Sequence, residues 1–120
     1  MGRDEAKKDE ALATDRASKL IELVEVAPGA IVSRVLAKSA GGSVTLFAFD
    51  SNQGLSEHTA PFDALVQLVN GALQVVIGGT EVKLEPGEIV RMPANVPHSL
   101  RAPEPCRMLL TMLRESDQEG

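Results

Sequence analysis

The fold of this chain is decided by two stretches, GLSEHTAPFDA at residues 54–64 and PGEIVRMPANVPH at residues 86–98. Each stretch contains one of the two histidines of the chain, His58 and His98. Both combine apolar residues with Pro or Gly turn residues, which is typical of short strands joined by bends. Because alternate side chains of a strand share a face, those of His58 and Ala60 are predicted to point the same way.

The region around these stretches has the pattern of an all-β protein. From residue 20 onward, short β-rich runs alternate with turn residues at intervals of roughly 8–12 residues, as in sandwiches and barrels. No helix of normal length fits inside this region. The predicted strands cover residues 20–26, 31–37, 44–49, 64–69, 72–77, 80–84, 89–92, 96–100 and 108–113.

Three residue pairs that contain glycine are predicted to form turns between these strands. Asn70-Gly71 predicts a tight hairpin between the two strands that flank it, and Gly78-Gly79 predicts a second hairpin. Pro86-Gly87 suits the central positions of a type II turn, because Pro fixes φ and Gly permits a positive φ.

In order and spacing, the two stretches resemble the paired motifs of the cupin superfamily, the small jelly-roll barrels. The first motif of that family supplies two histidines one residue apart and then a glutamate, and the second motif supplies a third histidine. His58 and His98 stand at the first and last of these metal-ligand positions. Ala60 and Ala64 stand where the family has the second histidine and the glutamate. The resemblance covers about residues 43–113.

Other positions of the two motifs match the family or depart from it slightly. Gly87 and Pro93 occupy the expected places in the second motif. Asn95 stands where the family usually has glycine, and Asn52 stands where the glycine of the first motif would fall. Asn is enriched among residues that tolerate a positive φ, so the turn at Asn95 is expected to be retained.

The resemblance implies an all-β, cupin-type jelly-roll barrel, also called a double-stranded β-helix, over residues 20–114. Residues 1–19 form a charged leader with five basic and five acidic side chains and no continuous apolar stripe. Such a segment is predicted to be disordered or to form a short helix. Residues 115–120 form a short acidic tail.

The resemblance also places the functional site in the barrel lumen. His58 and His98 are expected to reach one cavity from opposite sides, with Val66, Leu68 and Leu100 as apolar ligand-binding neighbours. A divalent transition metal (Zn, Mn, Ni or Fe) could be held by the two histidines. Two imidazoles alone hold a metal poorly, because catalytic sites usually supply three protein ligands. Three roles therefore stay open for the histidines: hydrogen-bonded core residues, metal ligands or acid–base groups.

The other potential ligands have simpler structural interpretations. Asp63 suits a surface bend, because Asp favours turns. Met92, Met108 and Met112 suit core filling, since thioether side chains pack well in irregular gaps. Cys106 is the only cysteine, so it cannot form an internal disulfide, and it suits a semi-buried structural thiol.

Charge and composition exclude several kinds of partner. The formal charge of −5 and a pI near 5.0 argue against nucleic acid, which is bound by clustered Lys and Arg. No apolar run approaches the ~20 residues that span a bilayer, and the first residues lack the apolar stretch of a secretory signal. A soluble cytoplasmic protein without a nucleic-acid or membrane partner is therefore expected.

Three classes of function remain open. The leading hypothesis is a small cupin that binds a compact, partly apolar ligand with one anionic or metal-chelating group near His58 and His98. The second is a metal-dependent enzyme of dioxygenase or isomerase type, with no catalytic residue assigned. The third is a regulatory or structural module without chemistry. Exposed edges of the leading strands also predict a homodimer, with residues 20–37 in the interface.

Overall fold

The computed structural model describes residues 11–114, which contain nine β-strands and one short 3₁₀ turn. The 3₁₀ turn covers Leu20–Glu22. The strands are β1 (Ile31–Ser39), β2 (Gly42–Phe49), β3 (Gly54–His58), β4 (Asp63–Asn70), β5 (Leu73–Ile77), β6 (Thr80–Leu84), β7 (Ile89–Met92), β8 (His98–Arg101) and β9 (Cys106–Leu113). The all-β architecture predicted from the sequence is confirmed.

The strands form two antiparallel sheets that enclose one core. The five-stranded sheet has the order β1-β2-β9-β4-β7, and the four-stranded sheet has the order β3-β8-β5-β6. Buried side chains of both sheets pack in the same cluster, including Val66 and Leu68 of β4 with Leu73 and Val75 of β5. Alternate residues of these strands therefore point into the space between the sheets, as the two-residue period of a strand requires.

Residues 20–26 do not form the strand that their composition predicted. They contain the 3₁₀ turn and then continue without regular structure. Val24 forms a second hydrophobic cluster with Leu36 of β1 and with Leu46 and Ala48 of β2. The segment therefore covers the outer face of the five-stranded sheet instead of joining it.

Two arginines hold this segment, of which only Val24 is buried, without a strand partner. The backbone carbonyl of Leu23 accepts a hydrogen bond from Arg34 Nη1 at 3.0 Å. The carbonyl of Val24 accepts one from Arg107 Nε at 2.8 Å. Buried backbone carbonyls need partners, and these side chains supply what a neighbouring strand would otherwise provide.

The predicted hairpin at Asn70-Gly71 is wrong, because β4 and β5 belong to different sheets. Strand β4 pairs with β7 and β9, whereas β5 pairs with β6 and β8. Gly71 has a φ of 87° and passes so close to the backbone of Pro105 and Cys106 that a Cβ atom would collide with it. Glycine here permits a crossing between sheets, not a hairpin.

The hairpin predicted at Gly78-Gly79 is confirmed. Ile77 of β5 pairs with Thr80 of β6, so the two glycines form the complete loop. Their φ angles are 57° and 86°. Two consecutive positive φ angles are characteristic of the type I′ turn, whose twist matches that of the flanking strands.

Positive φ angles also occur at the other predicted turns. Gly87 has a φ of 91°, and the N–H of Glu88 donates to the carbonyl of Glu85 at 2.9 Å. This geometry agrees with the predicted type II turn. Asn95 and Asn52 have φ angles of 63° and 67°. The turn conformation expected at Asn95 is therefore confirmed.

Of the charged leader, the structure describes residues 11–19. The predictions for residues 1–10 and for the acidic tail, residues 115–120, lie outside the described residues. Residues 11–19 contain no helix. The N–H of Leu12 donates to the carbonyl of Leu36 in β1 at 2.9 Å. Nowhere in residues 11–114 is there a helix with the length and apolar character needed to cross a membrane.

Candidate functional site

The two histidines are direct neighbours across a strand pair. His58 is the last residue of β3, His98 is the first residue of β8, and the two are Cα partners in the four-stranded sheet. The register of this pair shifts between Leu55 and His58, which marks a bulge at the end of β3. The expectation that they approach the cavity from opposite sides is therefore wrong. Both project from the same sheet.

The imidazole rings are in edge-to-face contact. Their centroids are 4.4 Å apart with an interplanar angle of 73°, and the two Nε2 atoms are 3.2 Å apart. His98 is buried, with 5% of its surface exposed, whereas His58 is exposed. One ring is therefore part of the interior, and the other forms the edge of the site that faces solvent.

Backbone hydrogen bonds determine which ring nitrogens carry protons. His58 Nδ1 lies 2.8 Å from the carbonyl oxygen of Ser56, and His98 Nδ1 lies 3.1 Å from that of Val96. A carbonyl oxygen only accepts hydrogen bonds, so each Nδ1 donates and carries a proton. In a neutral imidazole the other nitrogen then has a free lone pair. The two Nε2 atoms consequently face each other at one point, 3.2 Å apart.

The environment keeps His98 neutral. Burial lowers the pKa of the His98 imidazole from its ordinary value of 6.5. The hydrogen bond to the Val96 carbonyl opposes this shift, and the nearby His58 adds to it. Because burial dominates, His98 is an unprotonated acceptor at neutral pH.

An apolar cavity of about 60 Å³ lies beside the two histidines. Ala60 and Ala64 line it together with His58 and His98, so the four positions singled out in the paired motifs face one space. The cavity walls also include Leu100 and, from β9, Leu110. The remaining lining residues are Leu55, Phe62, Met92, Met108 and Met112.

Two of the residues expected to bind a ligand lie elsewhere. Val66 and Leu68 are fully buried in the core between the sheets and do not line the cavity. Leu100 does line it, as expected. Phe62 and Leu110 were not assigned to the site from the sequence. The two-residue period of β9 could have indicated Leu110, but only with the strand register known.

The contacts of Asp63 and the burial of Cys106 indicate structural roles for both residues. The carboxylate of Asp63 accepts a hydrogen bond from the N–H of Ala94 at 2.9 Å and contacts Arg91 Nη1 at 3.2 Å. It thereby joins the bend before β4 to the loop after β7. Cys106 is buried, and burial raises the pKa of its thiol to about 11, with a further contribution from Glu104. An uncharged thiol of this kind is a poor metal ligand.

The histidine pair fits part of a metal site but not the complete one that the resemblance implies. An ion at the usual distance of about 2.0–2.1 Å from both Nε2 atoms would see them at an angle of about 100°, which suits two adjacent ligands. Each Nδ1–H is also held by a carbonyl, as is common for metal-bound histidine. However, residues 11–114 contain no group of three or more His, Cys, Asp or Glu side chains able to hold a metal ion. A site with three histidines and one carboxylate therefore does not fit.

Two facing antiparallel sheets and a small cavity at one end of their common core define this molecule as a jelly-roll barrel of the double-stranded β-helix class. The family model described as Cupin domain matches residues 45–112, more than half of the chain. The chain belongs to the cupin family.

Solved structures support the same assignment. A conserved protein of unknown function from Streptococcus pyogenes is 27% identical, with 88% of this chain and 92% of that chain covered and a TM-score of 0.83. A cupin superfamily protein from Desulfitobacterium hafniense is 24% identical, with coverages of 87% and 95% and a TM-score of 0.82. A Cupin 2 conserved barrel domain protein from Leptotrichia buccalis is 33% identical over 78% of this chain and 45% of that chain, with a TM-score of 0.74. No curated protein shows significant similarity.

Proposed function

We propose that this cupin is a small-molecule binding protein whose site is the His58–His98 pair and the adjoining cavity. The observation that carries this proposal is the approach of the Nε2 atoms of His58 and His98 to 3.2 Å at the wall of an otherwise apolar space. The neutral His98 ring presents its Nε2 lone pair at this point, where it can accept a hydrogen bond from a ligand or bind a cation. The pair is therefore arranged to receive a ligand.

The geometry narrows the chemical class of that ligand. The unprotonated Nε2 of His98 favours a ligand with an N–H or O–H donor over an anionic group. The apolar walls favour a hydrocarbon body. The cavity of about 60 Å³ suits a compact ligand. A larger ligand would extend past the exposed His58 into solvent.

The other hypotheses receive less support. A metal-dependent enzyme of dioxygenase or isomerase type needs ligands that residues 11–114 do not bring together. A Zn, Mn, Ni or Fe ion on two imidazoles and water would be weakly held. The cytoplasmic location and the homodimer remain proposals.

Nitrogen NMR of protein with ¹⁵N-labelled histidine tests the proposal. The probes are short alcohols and the isomeric ethers with the same number of heavy atoms, because these differ only in the donor. Alcohols are expected to shift the Nε2 resonances of both His58 and His98, and the ethers are expected to have no effect. The variant His58→Ala should weaken the response at His98, because it removes one of the two nitrogens at the binding point.

Glu57→Ala serves as the matched control, since Glu57 is an exposed neighbour of His58 that does not line the cavity. It should respond as the natural protein does. The proposal is wrong if ethers and alcohols shift the Nε2 signals equally, or if neither class shifts them.

A further inference from the structure

The donors that line the cavity are soft or neutral. Besides the imidazoles of His58 and His98, the walls contain the thioethers of Met92, Met108 and Met112. No carboxylate or thiol lines this space. Divalent ions such as Mn²⁺ and Fe²⁺ favour oxygen and nitrogen ligands, whereas thioether sulfur favours Cu(I). The thioethers of this donor set therefore favour Cu(I) over Mn²⁺ and Fe²⁺.

Strand register places the thioethers on the wall opposite the imidazoles. Ala64 of β4 pairs with Met92 of β7 on one side and with Met112 of β9 on the other. The small Ala64 side chain thus stands between two methionines in one row of the five-stranded sheet. The histidines project from the four-stranded sheet. An ion in the cavity would have nitrogen donors on one side and sulfur donors on the other.

The distance between the two Nε2 atoms favours a further ligand on an ion bound to both of them. Cu(I) held by two nitrogens alone prefers a linear arrangement, which would require Nε2 atoms about 4 Å apart at bond lengths of about 2.0 Å. The observed separation is 3.2 Å, which corresponds to a bent arrangement. A bent pair leaves coordination positions that face away from both rings, and a thioether can fill one of them.

Charge also favours a monovalent ion. No anionic side chain lines the cavity to offset the charge of an ion. In the Born description, the cost of moving an ion out of water rises with the square of its charge, so a divalent ion costs about four times as much as a monovalent one. Neutral ligands in an apolar cavity therefore discriminate against divalent metals.

We propose that this cavity binds a soft monovalent cation of the Cu(I) class through His58, His98 and at least one thioether of Met92, Met108 and Met112. The inference rests on the proposed function, since it assigns an ion to the same binding site. It differs in the ligand, because a cation occupies the point that a neutral donor would otherwise occupy.

Ag(I) is the probe, because it is a soft monovalent ion that, unlike Cu(I), is not readily oxidised to a divalent ion. The protein carries ¹⁵N-labelled histidine and ¹³C-methyl-labelled methionine, and Cys106→Ala removes the only thiol from the background. One equivalent of Ag(I) is expected to shift both Nε2 resonances and at least one methyl resonance of the cavity methionines. Zn²⁺ at the same concentration is expected to leave the methyl resonances unchanged.

Variants quantify the contribution of the thioethers. The triple change Met92→Leu, Met108→Leu and Met112→Leu preserves volume and should weaken Ag(I) binding by about tenfold or more, with little effect on Zn²⁺. Single Met→Leu variants identify the coordinating residue and remain informative if the triple variant does not fold.

The outcomes separate this inference from the proposed function. If alcohols shift the Nε2 signals but Ag(I) does not, the cation proposal fails and the small-molecule proposal stands. If Ag(I) shifts the histidines while every methionine methyl stays unchanged, the thioether assignment is overturned. Binding of Zn²⁺ as tightly as Ag(I) overturns the assignment to a soft ion. If no probe reaches either histidine, both proposals fail.

Discussion

Arg107 Nε donates a hydrogen bond of 2.8 Å to the backbone carbonyl of Val24, a residue 83 positions earlier in the chain. The guanidinium also lies 3.5 Å from Asn70 Oδ1 and 3.7 Å from Glu25 Oε1, and the side chain is only 13% exposed. One side chain of β9 thus joins the segment over the outer face of the sheet to the end of β4. The hydrogen bond to Val24 thereby fixes a residue of the second hydrophobic cluster against the sheet.

Replacing Arg107 by Met should therefore destabilise the protein. The change keeps most of the side-chain volume but leaves the Val24 carbonyl without its charged donor, at a cost of about 1–3 kcal/mol. Urea unfolding monitored by circular dichroism gives the free energy of unfolding. Arg101→Met is the control, because Arg101 is exposed and its guanidinium donates to the side chain of Asn52; it should cost less than about 0.5 kcal/mol. Equal losses would contradict this account.

Local turn chemistry explains which parts of the fold were predictable. Gly78-Gly79 determines its hairpin through its own two φ angles, so the sequence was sufficient there. Asn70-Gly71 has the same local character, yet its two flanking strands belong to different sheets. Glycine is needed at position 71 because the chain passes close to Cys106 there. Within residues 20–26, Leu23 and Val24 are held by side chains from distant strands, Arg34 and Arg107, which no local pattern reveals.

The candidate site, like the fold, could be predicted only in part from the sequence. The motif spacing identified His58 and His98 as its polar residues. Ala60 lines the same cavity, but it lies beyond the end of β3, so strand parity is not the reason. The methionines were interpreted as core filling because packing and metal binding use the same thioether. Their shared wall follows from the pairing of Ala64 with Met92 and Met112, and such long-range register is not contained in either motif.

Deletion of residues 1–18 is expected to cost little stability. Among residues 11–18, Leu12 contributes one backbone hydrogen bond to β1 and is 40% exposed. A single bond of this kind contributes about 0.5–1.5 kcal/mol. Deletion of residues 1–26 should cost much more, because it also removes Val24 from the second hydrophobic cluster. Thermal unfolding of both truncated proteins tests the difference, and equal melting temperatures would argue against it.

A homodimer through residues 20–37 is predicted from exposed apolar side chains as well as from the strand edge. Ile21 and Val35 lie in this region and are 44% and 38% exposed. Val35→Glu should convert the dimer to a monomer in light scattering at micromolar concentration. Ile89→Glu is the control, because Ile89 is 56% exposed but lies in β7 at the opposite edge of the same sheet. A monomeric natural protein would refute the prediction.

Stability should decrease as the pH falls through the titration of histidine. The pKa of His98 in the folded protein lies below its ordinary value of 6.5, so the unfolded chain takes up a proton first. Acidification below pH 6.5 therefore favours unfolding until the folded pKa is reached. Asp50, whose pKa is lowered by the N–H groups of Gly29 and Ser51, contributes only below its ordinary value of 3.8. Urea midpoints between about pH 7.5 and pH 5 should fall, and His98→Gln should reduce this slope.

Restoring the family's ligands is the most direct test of how the four motif positions are arranged. Ala60 and Ala64 line the cavity with His58 and His98, so Ala60→His and Ala64→Glu should create a site with three histidines and one carboxylate. Such a set suits Zn²⁺, Mn²⁺ or Ni²⁺, and the affinity should decline below about pH 6 as the histidines protonate. Titration calorimetry is expected to show tighter binding of these ions than to the natural protein.

The present cavity is small, so the new side chains must displace neighbours. Met92 and Met112 flank Ala64, and overpacking against them would cost about 1–3 kcal/mol. Adding Met112→Ala gives the introduced carboxylate room and provides a second background in which the site can form. His98→Ala in the double variant should reverse the gain in affinity. If a folded double variant binds no more tightly, or if removal of His98 changes nothing, these four positions do not share one site.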